Sequence, residues 1–458
     1  MKFIGDREFY KRVALIALPI VIQNAFSFMV NFVDNIMVGQ LGTEAMSGVA
    51  IVNQLMYVFN TCILGIIAGA SIFGAQFYGN RDEEGLRETF CFRIMACLAL
   101  AVIAIALFLT SGEGLVLLFL HSENQREVME TLSYSRQYLA ILLAGLIPSA
   151  LTQAYASTSK DMGETFLPMC ASVTAVVLNI ILNYILIFGK MGAPALGVAG
   201  AAAATVIARF VECGLIVLVS HIRNGRYRFA AGALKHFRVS PDLAGKIVRK
   251  GSPLMINEVF WSVGTVFMVQ CYSVRGIQVI AGMNIATTIN SIFSILYIAI
   301  GSSVAIVVGQ LLGADEMEEA RDTDNKLIFL AVSSSLVIAV LMAAAAPFFP
   351  GLYRTSEEVR RLARDFMYVL ALHVPISAFI HAAFFTIRAG GKTMITFLFD
   401  SSVLWLISIP LAFFLTRATA MDIVFIYLIC QMSELIKCAV GFVLLKKGVW
   451  LHKIVADS

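Results

Sequence analysis

The sequence predicts an all-α integral membrane protein, with about twelve transmembrane helices in two six-helix bundles related by a pseudo-two-fold axis along the membrane normal. Three observations lead there. Of its 458 residues, 59% are hydrophobic and only 14% charged, against roughly 25% charged in a soluble domain, so a soluble fold would lack polar surface to cover itself. The apolar residues gather into runs of about 20 or more, enough for a helix to cross a bilayer core. The two halves also repeat at one constant offset of 234 residues, which pairs Pro19 with Pro253, Gly42 with Gly276, Gln76 with Gln310 and Gly79 with Gly313.

Taken in order, the apolar runs place spans at 13–39, 49–76, 92–110, 134–156, 166–188 and 197–220, then at 251–274, 282–311, 327–346, 365–387, 394–416 and 421–445. The first follows Lys2, Arg7, Lys11 and Arg12, like a signal peptide, but Gln23, Asn24, Asn31, Asp34 and Asn35 interrupt it and no small-residue cleavage site follows closely; it reads as a retained helix. Six spans per half bring both halves into the membrane in the same sense, which predicts an N-terminal lobe over 1–220, a linker over 221–250, a C-terminal lobe over 251–458, and a cavity between the lobes. Duplicated six-span halves are a transporter signature. The linker alone carries eight Lys and Arg residues, and the basic residues elsewhere favour the same side, so the linker and both termini are expected in the cytoplasm of a cell (inner) membrane protein. The basic loop Arg354, Arg360, Arg361 and Arg364 is the exception. No basic tract with interleaved aromatics points to nucleic acid. The eight cysteines form no CxxC pair and sit mostly in apolar runs, where they serve as small hydrophobes.

Ionisable side chains inside spans are costly and are functional candidates by default. Asp34 and Glu258 have no basic neighbour within a turn or two. Arg209 with Glu212, and Glu434 with Lys437, are spaced i, i+3 and read as neutralising pairs on one helix face. Asp400 stands alone in the sequence of span eleven. His373 and His381 share roughly one face of span ten, where histidine can relay protons. Asn179 and Asn183 share a face of span five, and span six offers Thr205. Amide and hydroxyl oxygens beside one carboxylate suit a hard cation or a proton; the same residues also serve as hydrogen-bonding glue between helices, and the sequence leaves both readings open. Asn24, Asn31, Gln54, Asn257 and Trp261 are the candidates for contact with a substrate.

These residues resemble a family. Pro19, the run Asp34 to Gly42 with Ala45, the segments Asn179 to Gly189 and Gly197 to Arg209, Pro253 with Asn257, Glu258 and Trp261, and Arg388 to Thr393 are together similar to the multidrug and toxic compound extrusion (MATE) transporters, over nearly the whole chain. The resemblance implies a transporter and not an enzyme, exporting cationic or amphipathic compounds in exchange for H+ or Na+ by alternating access. It implies that Asp34 is the coupling carboxylate, with Asn179 and Thr205 as polar neighbours and Glu258 as the seventh-helix acid. Two departures concern the ion. Asn183 stands where an Asp is common, and span ten has His373 and His381 but no acid, so H+ and Na+ are both left open. No cofactor is expected, and no metal beyond Na+ at Asp34. The expected partners are small-molecule substrates and the lipid bilayer, with no obligate protein partner.

A lipid-linked oligosaccharide flippase of related architecture is the second reading, but its pyrophosphate would call for a cavity rich in Arg and Lys. A membrane enzyme would need a catalytic motif, and neither HExxH nor GxSxG occurs. The topology is directly testable. A cysteine placed in the 221–250 linker, or a tag at Met1 or Ser458, should be protected from impermeant reagents in intact cells; labelling from outside would overturn the duplicated-bundle arrangement.

Overall fold

The computed structural model describes residues 4–120, 125–223, 225–230 and 237–455; the chain termini and part of the linker lie outside the described residues. Among these residues, twelve helices are long and apolar enough to cross a membrane: α1 Arg7–Gly39, α2 Thr43–Gly79, α3 Glu83–Leu117, α4 Gln125–Asp161, α5 Phe166–Phe188, α6 Val198–Ile222, α7 Pro241–Ser273, α8 Ile277–Gly313, α9 Met317–Ala345, α10 Glu357–Ala389, α11 Thr393–Ala418 and α12 Ile423–Lys447. Each covers one predicted span to within two residues. Most overrun it, because polar turns that emerge from the bilayer carry no hydropathy signal.

Short polar caps set the helix ends. Asp82 Oδ1 accepts from the Gly85 amide at 2.9 Å to start α3, and Asp422 Oδ1 accepts from Val424 at 2.8 Å to start α12, each satisfying a donor that has no partner within its helix. Gly189 ends α5 at φ 65°, a left-handed cap that glycine takes without penalty.

Three helices are broken internally. A 3-10 turn at Leu143–Gly145 interrupts α4 ahead of Pro148. A π turn at Leu404–Ser408 interrupts α11 ahead of Pro410. In α12 the helix stops after Met432 and resumes at Leu435. Proline removes a backbone donor and clashes one turn back, which accounts for the first two breaks, and such breaks free backbone groups and re-aim side chains. Ser408 and Ser433, one from each of the α11 and α12 breaks, join hydroxyls at 2.8 Å.

The chain divides into two compact units. One comprises residues 22–74 and 82–247, and the other residues 1–21, 75–81 and 248–458. Thus α1 and α2 each contribute to both. Within the first unit the apolar core runs from Val49, Val52 and Phe59 of α2 to Cys97 and Ala101 of α3 and Leu139 and Leu146 of α4. Arg93 of α3 is fully buried there, paired with Asp161 at the end of α4 and donating to Thr158 Oγ1 at 2.7 Å.

Within the second unit the end of α2 crosses the end of α8 at backbone contact. A Cβ on Gly79 would run into the carbonyl oxygen of Gln310, and one on Gly313 into the carbonyl oxygen of Gln76. A Cβ on Gly309 would lie 2.9 Å from that of Ala75. The sequence repeat equates Gly79 with Gly313, Gln76 with Gln310 and Ala75 with Gly309, so the contact is reciprocal: the two helix ends meet through the same residues of each repeat. Gln76, wholly buried, then ties down the chain after α12, donating to His452 O at 3.3 Å and accepting from the Ile454 amide at 2.8 Å. Its amide also donates to Ala389 O at 3.0 Å, and Trp450, 1% exposed, packs with Val13, Ile16 and Ile20 of α1.

Small residues are required at this crossing because backbone, which cannot rotate away, lies opposite. Gly79→Ala and Gly313→Ala should each destabilise the protein by about 2–3 kcal/mol, the upper range for overpacking. Gly214→Ala, in open space on α6, should instead stabilise it by about 0.5–1 kcal/mol. Thermal unfolding of the detergent-purified variants gives the comparison, and a Gly79→Ala protein as stable as Gly214→Ala would refute the packing argument.

Candidate ion and substrate site

The first unit encloses a cavity of about 620 Å³ bounded by α1, α2, α4, α5 and α6. Its shape follows from helix chemistry. On α6, Gly200 lies against the backbone of α5, where a Cβ would meet the Leu186 carbonyl oxygen at 2.5 Å. That approach brings α6 hydroxyls within reach of α5 amides. The 3-10 turn of α4 packs against α6 at Val206 and Arg209, and Gly145 and Leu146 line the cavity together with the α5–α6 wall.

A chain of four polar side chains crosses this wall. Asn179 Nδ2 donates to Thr205 Oγ1 at 3.3 Å, Asn183 Nδ2 donates to Asn179 Oδ1 at 3.1 Å, and the same amide donates to Asp34 Oδ1 at 2.5 Å. Thr205 donates in turn to Ala201 O one turn back on α6. Asn179 and Asn183 are 4% and 1% exposed, whereas Asp34 is half-buried and reaches the cavity. Asn183 Oδ1 is buried with no hydrogen-bond partner. The charged groups lining the cavity are Asp34, Arg209 and Glu212. Arg209 Nη1 donates to Glu212 Oε2 at 3.1 Å, so the i, i+3 pair closes on itself and the lining carries a net charge of one negative at neutral pH.

Of the other residues singled out in the sequence, Asn31 and Gln54 line this cavity. Asn24 does not; it is half-buried on α1, ten residues from Asp34 or about 15 Å along a helix. Asn257, Glu258 and Trp261 belong to the second unit. Asn257 is 2% exposed and turned into the protein, where it donates to Asp400 Oδ2 at 2.9 Å and accepts from Ser401 at 2.7 Å. Glu258 is half-buried, with Arg388 and Asp400 the charges that act on it, and Trp261 is exposed.

The structure corrects the reading of Asp400 as a lone acid. Lys437 Nζ donates to Asp400 Oδ1 at 3.1 Å and to Glu434 Oε1 at 3.3 Å, so the ammonium is shared between α11 and its own helix. His373 Nε2 lies 2.9 Å from Glu434 Oε2. The break in α12 places Glu434 at this junction. Two features went unseen in the sequence: the Arg93–Asp161 pair and the Asp324 carboxylate that accepts from Thr386 Oγ1 at 2.5 Å. Their partners are more than 60 residues apart, and only the presence of a charge near an apolar run could have marked them.

Comparison with known proteins identifies the fold and the family. The MatE family model matches residues 19–185 and again 253–414, starting at the two prolines that the internal repeat equates. A probable multidrug resistance protein NorM of Thermotoga maritima is 23% identical over 412 residues, covering 90% of this chain and 86% of the relative. A protein of the same description from Bacillus subtilis is 26% identical over 440 residues, covering 95% and 94%. Among solved structures, a MATE transporter in its straight conformation matches with a TM-score of 0.87 at 19% identity, covering 98% of each chain. The Vibrio cholerae MATE transporter VcmN matches at 0.84 and 16%, covering 96% and 97%. The structural matches speak for the twelve-helix fold; with the family model matched across both halves, this chain belongs to the MatE family, a family of membrane transporters and not of enzymes.

Proposed function

We propose that this protein is a secondary antiporter that exports cationic or amphipathic small molecules across the cell (inner) membrane in exchange for H+ or Na+, by alternating access with both termini cytoplasmic. The observation that carries the reading is the cavity of the first unit, net negative by one charge, with Asp34 its only acid outside an ion pair. The names of the curated relatives, probable multidrug resistance proteins, support the substrate class.

The coupling follows from charge. A cationic substrate is attracted while Asp34 is ionised. Uptake of H+ or Na+ makes the cavity neutral and removes that attraction, and by linkage the substrate disfavours the ion to the same degree, an effect of about 5–150-fold in typical coupled sites. The two ions ask different things of Asn183. A proton on the free carboxylate oxygen leaves its hydrogen bond to Asp34 in place. Sodium accepts only oxygen ligands at a site of this kind, so the amide must turn over and present the Oδ1 that is now unpartnered. A pyrophosphate-bearing lipid is disfavoured, because the single base lining the cavity, Arg209, is already bonded to Glu212.

Export of a fluorescent cation from proteoliposomes, driven first by a Na+ gradient and then by a pH gradient, tests the mechanism. Asp34→Asn should insert normally, since it removes a charge from the membrane interior, retain some substrate binding, and lose gradient-driven export. Glu258→Gln should be less impaired. Asn183→Asp should raise Na+ affinity by adding a second carboxylate to the cluster. Wild-type export rates in Asp34→Asn alongside a dead Glu258→Gln would move the coupling site to the second unit.

A further inference from the structure

The second unit holds a buried cluster of charge that the proposed antiport at Asp34 does not use. Two carboxylates, Asp400 and Glu434, face one ammonium, Lys437, which is 3% exposed and bonded to both. The count leaves the group one positive charge short. Its fourth member is His373, 8% exposed, with Nε2 against Glu434 Oε2 at 2.9 Å and Nδ1 against Ser377 Oγ at 3.1 Å. We propose that His373 is a proton-binding site of the second unit, its imidazolium supplying the charge that completes the cluster with Glu434, Lys437 and Asp400.

The bonding suits both protonation states without moving a heavy atom. A neutral ring donates from Nε2–H to Glu434 and accepts at Nδ1 from the Ser377 hydroxyl. A proton added at Nδ1 reverses the second bond, and the serine oxygen, which can donate or accept, becomes the acceptor. Tyr297 from α8 also bonds Ser377 and can receive the hydrogen that Ser377 turns away from the ring. The bond to Glu434 becomes charge-assisted and strengthens. No covalent bond forms or breaks apart from the N–H; the proton comes from water.

The titratable neighbours are few. The α12 helix presents Glu434 and Lys437, together with Tyr427 and Cys438, which act on Glu434, the Cys438 thiol donating to Ile376 O of α10; α11 presents Asp400, and α8 presents Tyr297. On α10 itself His381 lies two turns on, its Nδ1 at 2.9 Å from Ser377 O and its ring 5.3 Å from that of Tyr297. From α7, Asn257 reaches the cluster only through Asp400, and Glu258 beside it feels the Asp400 charge. From α9, Asp324 is engaged with Thr386, thirteen residues further along α10. Among the described residues, Lys437 is the only cation bonded into the cluster, and both of its bonds are to carboxylates.

The test is spectroscopic and uses the full chain with ¹⁵N-labelled histidine in phosphatidylcholine nanodiscs, without substrate or gradient. Across about pH 5 to 9, the range in which histidine titrates, one ring should pass from the neutral to the imidazolium pattern, and that signal should be missing from His373→Gln. In Glu434→Gln the transition should move to lower pH by at least about one unit, since a carboxylate at hydrogen-bond distance accounts for about 1–3 units. If His373→Gln does not fold, single substitutions of the other five histidines, His121, His221, His236, His381 and His452, leave the His373 signal as the one that none of them removes. A His373 signal fixed in one protonation state throughout, or one that titrates alike in wild type and Glu434→Gln, would overturn the proposal. Because no transport is measured, this result stands apart from the export reading: loss of export with the titration intact speaks only against the latter.

Discussion

Charge kept out of water is the constraint on which this molecule turns. Each ionisable side chain in the membrane interior needs a partner, a proton or a cation, and the helices are arranged to supply one. Arg93 is closed off against Asp161, with Thr158 and Ser71 also accepting from its guanidinium. Lys437 is divided between two carboxylates. Asp34 differs, because its bonded partner is a neutral amide, and neutral partners leave the charge to be balanced by something that comes and goes. The coupling role proposed for Asp34 rests on this difference from the ion-paired acids together with its place on the cavity.

Helix irregularity follows the same logic. A regular helix uses its backbone groups internally and gives each side chain a fixed direction. The turn at Leu143–Gly145 lies on the wall of the cavity, and the interruptions at Leu404–Ser408 and after Met432 meet each other through Ser408 and Ser433. The second of these sets Glu434 between His373 and Lys437. Where this chain departs from regular helix, it does so beside its buried polar groups.

Much of this was legible in the sequence, for reasons that can be named. Hydropathy located all twelve spans because a bilayer demands long apolar runs. The spacing of Asn179 and Asn183, and the family resemblance around Asp34, pointed to the residues that the structure joins in one hydrogen-bonded chain. The i, i+3 pairs Arg209–Glu212 and Glu434–Lys437 were visible because they are local. What stayed hidden was tertiary. Asp400 looked isolated because its partner Lys437 lies 37 residues away, and Asn257 looked ready for a substrate although the fold turns it towards Asp400 and Ser401. Helix breaks leave little trace in hydropathy, so the position of Glu434 at one of them could not be read from its neighbours.

The seat of Gln76 also bears on how the chain is made. Its side chain is wholly enclosed, yet two of its three hydrogen bonds are to residues 452 and 454, which are made after every span of the second unit. Throughout synthesis of the intervening helices, the end of α2 therefore holds a polar group whose final partners do not yet exist. Assembly of the second unit therefore waits for the segment beyond α12, which reaches back across the chain and fills that seat. A chain cut short after α12 would carry every apolar helix into the membrane and still leave Gln76 without its seat.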